Sequence, residues 1–130
     1  PSQVGRIARH ARDDDARVRR SVASALRKTN AREARATLLD LAKDRDEEVQ
    51  IAAIDAMAHH PLDAAEQREL AQLLQSEALG GEAETVLVTV LLRQGAPSSD
   101  VRASLAQVVE RTGNPRLAAQ IRFALEASAN

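Results

Sequence analysis

The side chains of this sequence that could carry acid–base or metal chemistry are mainly carboxylates and imidazoles. The carboxylates cluster in two runs, at residues 13–15 and 44–48, and the runs begin 31 residues apart. The three histidines are His10, His59 and His60. The sequence contains no cysteine, which excludes disulfides, thiolate nucleophiles and cysteine metal ligands.

Each acidic run comes directly before a segment with the periodicity of a helix. A carboxylate at Asp15 or Asp46 can accept the unpaired backbone amides of a first helical turn, and the flanking acidic residues complement the helix dipole. Asn114 followed by Pro115 predicts the same kind of start for the last helix. We therefore interpret the two acidic runs as helix caps and not as a metal or catalytic site.

The histidines and serines do not form a recognisable catalytic pattern. His59 and His60 precede Pro61 at the predicted end of a helix, where neighbouring side chains point in different directions, so we interpret them as helix C-caps. The pair Gly80-Gly81 lacks the Lys-Ser or Lys-Thr of a phosphate-binding loop. No serine is spaced to lie beside a base. We expect no enzymatic activity, no metal and no cofactor.

The balance of charge argues against a wholly basic nucleic-acid binder. The chain has 18 Lys and Arg against 19 Asp and Glu, a formal net charge of −1. The distribution is uneven, because residues 1–36 carry ten basic and four acidic side chains while residues 37–130 carry eight and fifteen. No apolar run approaches the roughly 18 residues that a membrane span needs. We expect no membrane insertion and favour a cytoplasmic location.

The apolar residues repeat with the period of a helix, and the pattern recurs four times. Alanine fills 26 positions, and the only aromatic residue is Phe123, so the core must be built from small and aliphatic side chains. In the first copy, Val18, Val22, Ala25 and Leu26 follow the spacing i, i+4, i+7, i+8 of one helix face. The matching positions of the later copies are Val49, Ala53, Ala56 and Met57; Glu84, Val88, Leu91 and Leu92; and Leu117, Ile121, Ala124 and Leu125.

A second helix precedes each copy at a constant distance, which predicts helical hairpins. The paired positions are 19 residues apart in every copy: Ile7 and Leu26, Leu38 and Met57, Leu73 and Leu92, Ala106 and Leu125. We therefore predict an all-α protein with eight helices at about 3–13, 16–28, 32–44, 47–59, 63–78, 82–94, 99–111 and 115–128. The hairpins form repeat units at about 1–29, 30–60, 61–95 and 96–130 of a single domain, 1–130. Since the sequence starts at Pro1 without Met, we expect a part of a larger protein.

One segment has a local preference that conflicts with this register. Residues 84–92 read Glu-Thr-Val-Leu-Val-Thr-Val-Leu-Leu and are rich in β-branched side chains, which favour a strand. Their position in the repeat favours a helix instead. We predict a helix that is buried on nearly all sides, because it is apolar on nearly all sides.

The first copy resembles a known repeat family. Residues 15–26 read Asp-x-x-Val-Arg-x-x-Val-x-x-Ala-Leu, which resembles HEAT repeats, particularly the short bacterial HEAT-like repeats also found in phycobilin lyases. The resemblance implies an armadillo-like α-solenoid whose second helices line a concave face used mostly for protein binding, less often for nucleic acid and rarely for catalysis. In such repeats the Asp and Arg often form a ladder between units. Here Arg19 is replaced by Gln50, Thr85 and Ala118 in later copies, so the implied ladder goes no further than the first unit.

The predicted concave face carries apolar residues with a polar rim. Helical geometry places it opposite the packed positions of the second helices, and an exposed apolar patch with polar edges is typical of a binding site. An alternative is that the apolar members fill space between neighbouring helices. The predicted partner-binding residues are Ile51, Ile54, Asp55, Val86, Val90, Arg93, Arg122 and Phe123.

A basic patch near the N-terminus indicates an alternative function, the binding of nucleic acid or another polyanion. The patch comprises Arg6, Arg9, Arg17, Arg20 and Arg27. The chain has no Trp or Tyr to stack on bases, which argues against this alternative. We therefore predict a protein-binding scaffold whose partner is another protein or another domain of the same polypeptide.

Overall fold

Eight α-helices and no strands make up the residues that the computed structural model describes, 3–29 and 31–128. Pro1, on which the expectation of a larger protein rests, lies outside them, as do residues 30 and 130 at the predicted repeat boundaries. The all-helical prediction and its eight helices are confirmed. The helices are α1 (Gln3–Ala8), α2 (Ala16–Leu26), α3 (Arg32–Leu41), α4 (Glu47–Met57), α5 (Ala64–Gln75), α6 (Gly81–Leu92), α7 (Ser99–Arg111) and α8 (Pro115–Ser128).

The first α-helix is shorter than predicted, and the sixth is helical despite its many β-branched residues. The predicted helix over residues 3–13 is α-helical only to Ala8 and continues as a 3-10 helix over Arg9–Arg12. The β-branched segment at residues 84–92 is helical, as its register predicts, and Leu87, Val88 and Leu91 are buried. Burial of these side chains against neighbouring helices outweighs the local preference for a strand.

The predicted helix caps are confirmed. The Asp15 carboxylate accepts the backbone N–H of the second residue of α2 at 2.8 Å, and Asp46 accepts those of the second and third residues of α4 at 2.9 and 3.2 Å. The side-chain oxygen of Asn114 accepts the equivalent amides of α8 at 3.1 and 3.2 Å. These bonds satisfy donors that have no partner inside a helix, so the acidic runs have a structural role at these positions.

The chain divides after Pro61 into two compact units, Pro1–Pro61 and Leu62–Asn130. Each unit contains two of the four hairpins, and the division lies next to the predicted boundary between the second and third repeats. The description of the whole chain as one domain stays a prediction.

In the first unit, α2 packs along α4, and both helices contact α3. The small side chains of Ala23 and Ala53 are completely buried and allow close packing, while Leu26, Leu38 and Met57 fill the space around them. A hairpin of this length cannot enclose its own apolar residues, so each hairpin completes the core of the other.

In the second unit, the main contact is between α5 and α7, the first helices of the two hairpins. Small buried residues again lie at the crossing, Ala71 on α5 and Ser104 on α7, and the Gln75 side chain donates to the Ser104 hydroxyl at 2.8 Å. Arg111, at the end of α7, donates to the Leu74 carbonyl and to the Glu84 carboxylate. Polar bonds thus join both hairpins of this unit.

The buried stripes are wider than the predicted template and rotated from it in two helices. Ala25 and Ala106, both predicted to pack, are exposed, whereas Ala23 and Leu105 are buried in their place; Ile7 is half-buried. These positions are corrections to the predicted register. The physical reason is that a helix contacting two or three neighbours buries more than one face, and a single-stripe template does not describe such a helix.

A nearly buried ion pair joins the two hairpins of the first unit. The Arg19 guanidinium donates to both carboxylate oxygens of Asp44, Nε to Oδ2 at 2.8 Å and Nη2 to Oδ1 at 3.1 Å. Its Nη1 donates to the backbone carbonyls of Asp13 and Asp14 at 2.8 and 3.0 Å. Because the planar guanidinium donates hydrogen bonds to a carboxylate and to two carbonyls at once, Arg19 fixes the position of α2 relative to the loop before α4.

The ion pair clarifies the ladder that the HEAT resemblance implies. The acidic partner of Arg19 is Asp44, two residues before the capping Asp46, and not a capping residue itself. Gln50, which replaces Arg19 in the second copy, donates to the Asp44 carbonyl at 2.6 Å. In the third copy the Thr85 hydroxyl donates within its own helix. The charged ladder therefore ends after the first hairpin, as the sequence predicts.

The surroundings of Asp44 affect its pKa in opposite directions. Burial raises the pKa, while hydrogen bonds from the Arg19 side chain and the Asp46 backbone, together with the charges of Arg19 and Arg45, lower it. The net result is a pKa below the ordinary value of an aspartate. The charged form of Asp44 therefore contributes to the stability of the folded state.

We expect Asp44→Asn to lower the free energy of unfolding by about 2 kcal/mol, because Arg19 is left nearly buried without its counter-charge. Urea unfolding followed by circular dichroism measures this difference. Asp40→Asn is the matched control, since Asp40 is exposed on α3, and it should change stability little. An equal loss in both variants would contradict a structural role for the Arg19–Asp44 pair.

We also expect the difference between wild type and Asp44→Asn to depend on pH. Because the folded-state pKa of Asp44 is lowered, its contribution is present above the unfolded carboxyl pKa of about 3.9 and is lost as the pH falls through the folded value. The difference between the urea midpoints of the two proteins, measured from about pH 7 down to about pH 3, should become smaller toward the acidic end. A difference that stays constant over this range contradicts the ionic contribution.

Candidate functional site

The predicted partner-binding residues lie on the second helices of the hairpins, α4 in the first unit and α6 and α8 in the second. A residue can contribute to a binding surface only if its side chain reaches solvent. The exposure of each side chain therefore decides which of the predicted residues remain candidates.

In the first unit, the exposed face of the second helices is mainly polar. Arg20 on α2 forms an exposed ion pair with Glu48 on α4 at 3.4 Å. Asp55 is exposed and Ile51 is half-buried, whereas Ile54 is completely buried. This face therefore offers charged groups and part of one aliphatic side chain.

In the second unit, the exposed face includes an aromatic ring. Phe123 on α8 is 75% exposed and is the only large apolar side chain exposed among the described residues. Arg122 beside it and Arg93 at the end of α6 are also exposed. Val86 is half-buried, and Val90 is only 4% exposed.

The prediction that Ile54 and Val90 belong to an exposed surface is therefore wrong. Both helices that carry them are apolar on most sides and contact two neighbours, α4 with α2 and α3, and α6 with α5 and α8. These neighbours cover the side that a single-stripe template leaves open. The alternative noted from the sequence, that apolar residues here fill space between helices, is correct for these two positions. Partner binding by the other six residues stays a prediction.

Three of the five arginines in the predicted basic patch have partners within the protein. Arg17 pairs with Asp15 at 3.0 Å and lowers the pKa of that carboxyl, chiefly by the side-chain hydrogen bond. Arg20 pairs with Glu48, and Arg27 donates to His59. Arg6 and Arg9, on α1 and the 3-10 helix, are exposed. The ion pairs with carboxylates reduce the positive charge that Arg17 and Arg20 present to a polyanion.

The two adjacent histidines act as the sequence predicts, at helix C-termini. The His59 Nδ1 donates to the Asp55 carbonyl in the last turn of α4 at 3.0 Å. The His60 Nε2 donates to the Leu26 carbonyl, at the end of α2, at 3.3 Å. The two rings thus satisfy carbonyls of two different helices and do not converge on one point. The described residues contain no group of three or more His, Cys, Asp or Glu that could hold a metal ion.

A cleft that sequence reasoning missed lies at the C-terminal ends of α2 and α4. It has a volume of about 500 Å³ and is lined by Arg27, Lys28, His59 and His60. The signal that could have revealed it is the repeat register of 31 residues, which places Ala58 and His59 at the positions of Arg27 and Lys28, with His60 one residue further along. Because equivalent helices lie side by side in a repeat protein, equivalent helix ends come together.

A family model describing HEAT repeats matches residues 5–80, more than half of the chain. The match begins in α1 and reaches past the end of α5. No curated protein matches the chain. Among the described residues, none of the helices has the length and apolar character needed to cross a membrane.

We expect Val90→Asp to destabilise the protein by about 3 kcal/mol or more, because the carboxylate would be buried without a partner. Val86→Asp is the matched control, since Val86 lies one turn away on the same helix and is half-buried. The loss of stability that it causes should be clearly smaller. Urea unfolding of the two variants and of wild type measures the difference. If Val90→Asp proved the milder change, Val90 would belong to the surface after all.

Proposed function

This chain belongs to the HEAT-repeat family, and we propose that it is a protein-binding module whose partner lies on the exposed faces of the second helices. HEAT repeats generally mediate protein–protein interaction. They are typically non-enzymatic scaffolds, and we propose the same role here. The partner is another protein or another domain of the same polypeptide.

The observation that carries this proposal is the exposure of Phe123. A phenyl ring in water contributes nothing to the stability of its own fold, whereas its burial against a partner is worth about 1.5 to 3 kcal/mol before the costs of association. Aromatic and arginine side chains are also frequent among the residues that dominate binding energy at interfaces. Arg122 is adjacent and exposed.

The residues around Phe123 are suited to close approach by another chain. Ala119 and Ala127 lie one turn before and one turn after it on the same side of α8, and both are exposed. Their small side chains leave space on either side of the ring. Glu126, also exposed, adds a charge of opposite sign to Arg122. An apolar centre with charged edges is the usual composition of a protein interface.

The second-helix faces of the two units would contribute differently to recognition. In the first unit, Arg20, Glu48 and Asp55 offer exposed charges of both signs, which favour specificity and orientation more than affinity. In the second unit, Phe123 supplies an apolar anchor. We therefore expect α8 to supply most of the binding energy.

Binding of nucleic acid receives less support. Arg17 and Arg20 are already paired with carboxylates, and Phe123 is the only aromatic side chain of the sequence. A protein that binds single strands combines basic and aromatic side chains along one groove.

We expect Phe123→Asp to abolish the capture of the partner by the immobilised chain, because the anchor is replaced by a charge. Circular dichroism and the urea midpoint should be unchanged, since the side chain is exposed. A photo-reactive phenylalanine analogue at position 123 should cross-link to the same protein that wild type captures from a cell extract.

The control is the same pair of changes at Gln107, which is exposed on α7, a first helix. Gln107→Asp should retain the captured protein, and the analogue at this position should not cross-link to it. Retention of the same protein by Phe123→Asp would refute the proposed role of α8.

A further inference from the structure

The α2–α4 cleft, lined by Arg27, Lys28, His59 and His60, concentrates basic side chains that have no acidic partner. Neither Arg27 nor Lys28 forms an ion pair with a carboxylate in the part of the chain that the structure describes. Two uncompensated positive charges at the mouth of a cleft favour an anion there.

The geometry of His59 holds one of these cations in place. Arg27 Nε donates to His59 Nε2 at 3.1 Å, and Arg27 Nη2 lies 2.6 Å from the same nitrogen. The other ring nitrogen of His59 donates to the Asp55 carbonyl, so both of its nitrogens are occupied. The Nη1 group of Arg27 remains available to a ligand, and the guanidinium is held in one orientation before the ligand arrives.

His60 provides a second, independent indication of a ligand. Its side chain is nearly buried, since the residue is 4% exposed, and its Nε2 must donate to the Leu26 carbonyl because a carbonyl can only accept. The other nitrogen, Nδ1, is buried and has no hydrogen-bond partner. Buried polar atoms are rarely left unpaired, because each costs the free energy of lost solvation. A group that enters the cleft could supply the missing bond.

We infer that the α2–α4 cleft binds a phosphate group, either inorganic phosphate or a phosphate monoester. Its negative charge matches Arg27 and Lys28. Its second ionisation lies near pH 6, about 6 for a phosphoserine, so near that pH part of the phosphate carries a P–OH group that can donate a hydrogen bond. Such a group can donate to the unpaired Nδ1 of His60. Sulfate and carboxylates carry no such proton near neutral pH.

The helices themselves make this site depend on its cations. The C-terminal ends of α2 and α4 carry partial negative charge, which disfavours an anion. The charges of Arg27 and Lys28 must outweigh that effect, so removal of either should clearly weaken phosphate binding. This dependence distinguishes the cleft from a phosphate site at a helix N-terminus, where backbone amides supply the attraction.

The test uses the full chain labelled with ¹⁵N and ¹³C and titrated with inorganic phosphate at constant ionic strength. We expect a saturable change in the His60 ring signals, with Nδ1 showing the largest ¹⁵N shift. O-phosphoserine should bind as well as or better than inorganic phosphate; tighter binding identifies a phosphorylated side chain as the source, and equal binding identifies free phosphate. Sulfate at the same concentration should bind clearly more weakly. A shift that never saturates, or sulfate binding equal to phosphate, would overturn the inference.

Variants locate the binding. Arg27→Gln and Lys28→Gln should each weaken phosphate binding by about tenfold or more, the expected loss of one charge-assisted hydrogen bond. Lys43→Gln is the matched control, because Lys43 is exposed in the same unit and does not line the cleft; it should leave the affinity unchanged. Equal weakening by Lys43→Gln would show a general effect of charge and not a site. Unchanged affinity in both cleft variants would exclude the cleft.

Discussion

A single hairpin of this chain cannot bury its own apolar residues, and the rest of the structure depends on that constraint. Only packing against a second hairpin removes Leu26, Leu38 and Met57 from water in the first unit, and Leu74, Leu91 and Leu105 in the second. Alanine and serine at the helix crossings make this packing close. The polar contacts are arranged around the same junctions: Arg19 with Asp44 in one unit, and Arg111 with Glu84 in the other. Each of these pairs joins one hairpin of its unit to the other.

The same packing decides which residues are left for function. Helices α4 and α6 are covered by their neighbours on the sides that carry Ile54 and Val90, so these two residues belong to the core, whereas Ile51 and Val86 are partly accessible. On α8 the buried stripe is narrow, Leu117, Ala118 and Ile121, and Phe123 remains in water. The exposed ring on α8 supports the proposed binding role, although α6 is the more apolar of the two helices.

The repeat period also brings together residues that have no relation along the chain. Equivalent second helices lie side by side in the first unit, so the end of α2 meets the end of α4, and Arg27 contacts His59 across 32 positions of sequence. In this arrangement His59 and His60 do more than cap helices. One accepts a hydrogen bond from the Arg27 guanidinium, and the other lines the cleft and has a buried nitrogen without a partner. A structural repeat thus produces a candidate ligand site from residues that each have an ordinary structural explanation.

The sequence by itself determined the helical content, the eight helices, the caps at Asp15, Asp46 and Asn114, and the HEAT-repeat family, because these depend on local periodicity and on short-range hydrogen bonds. It also predicted that residues 84–92 are helical, since a repeated register outweighs local propensity. Only the tertiary structure decided that Ala23 is buried and Ala25 exposed, that Ile54 and Val90 belong to the core, that Asp44 is the partner of Arg19, and that a cleft forms at His60. These outcomes depend on which sides of each helix its neighbours cover and on the angles at which the helices cross. The spacing of residues along one helix does not contain that information.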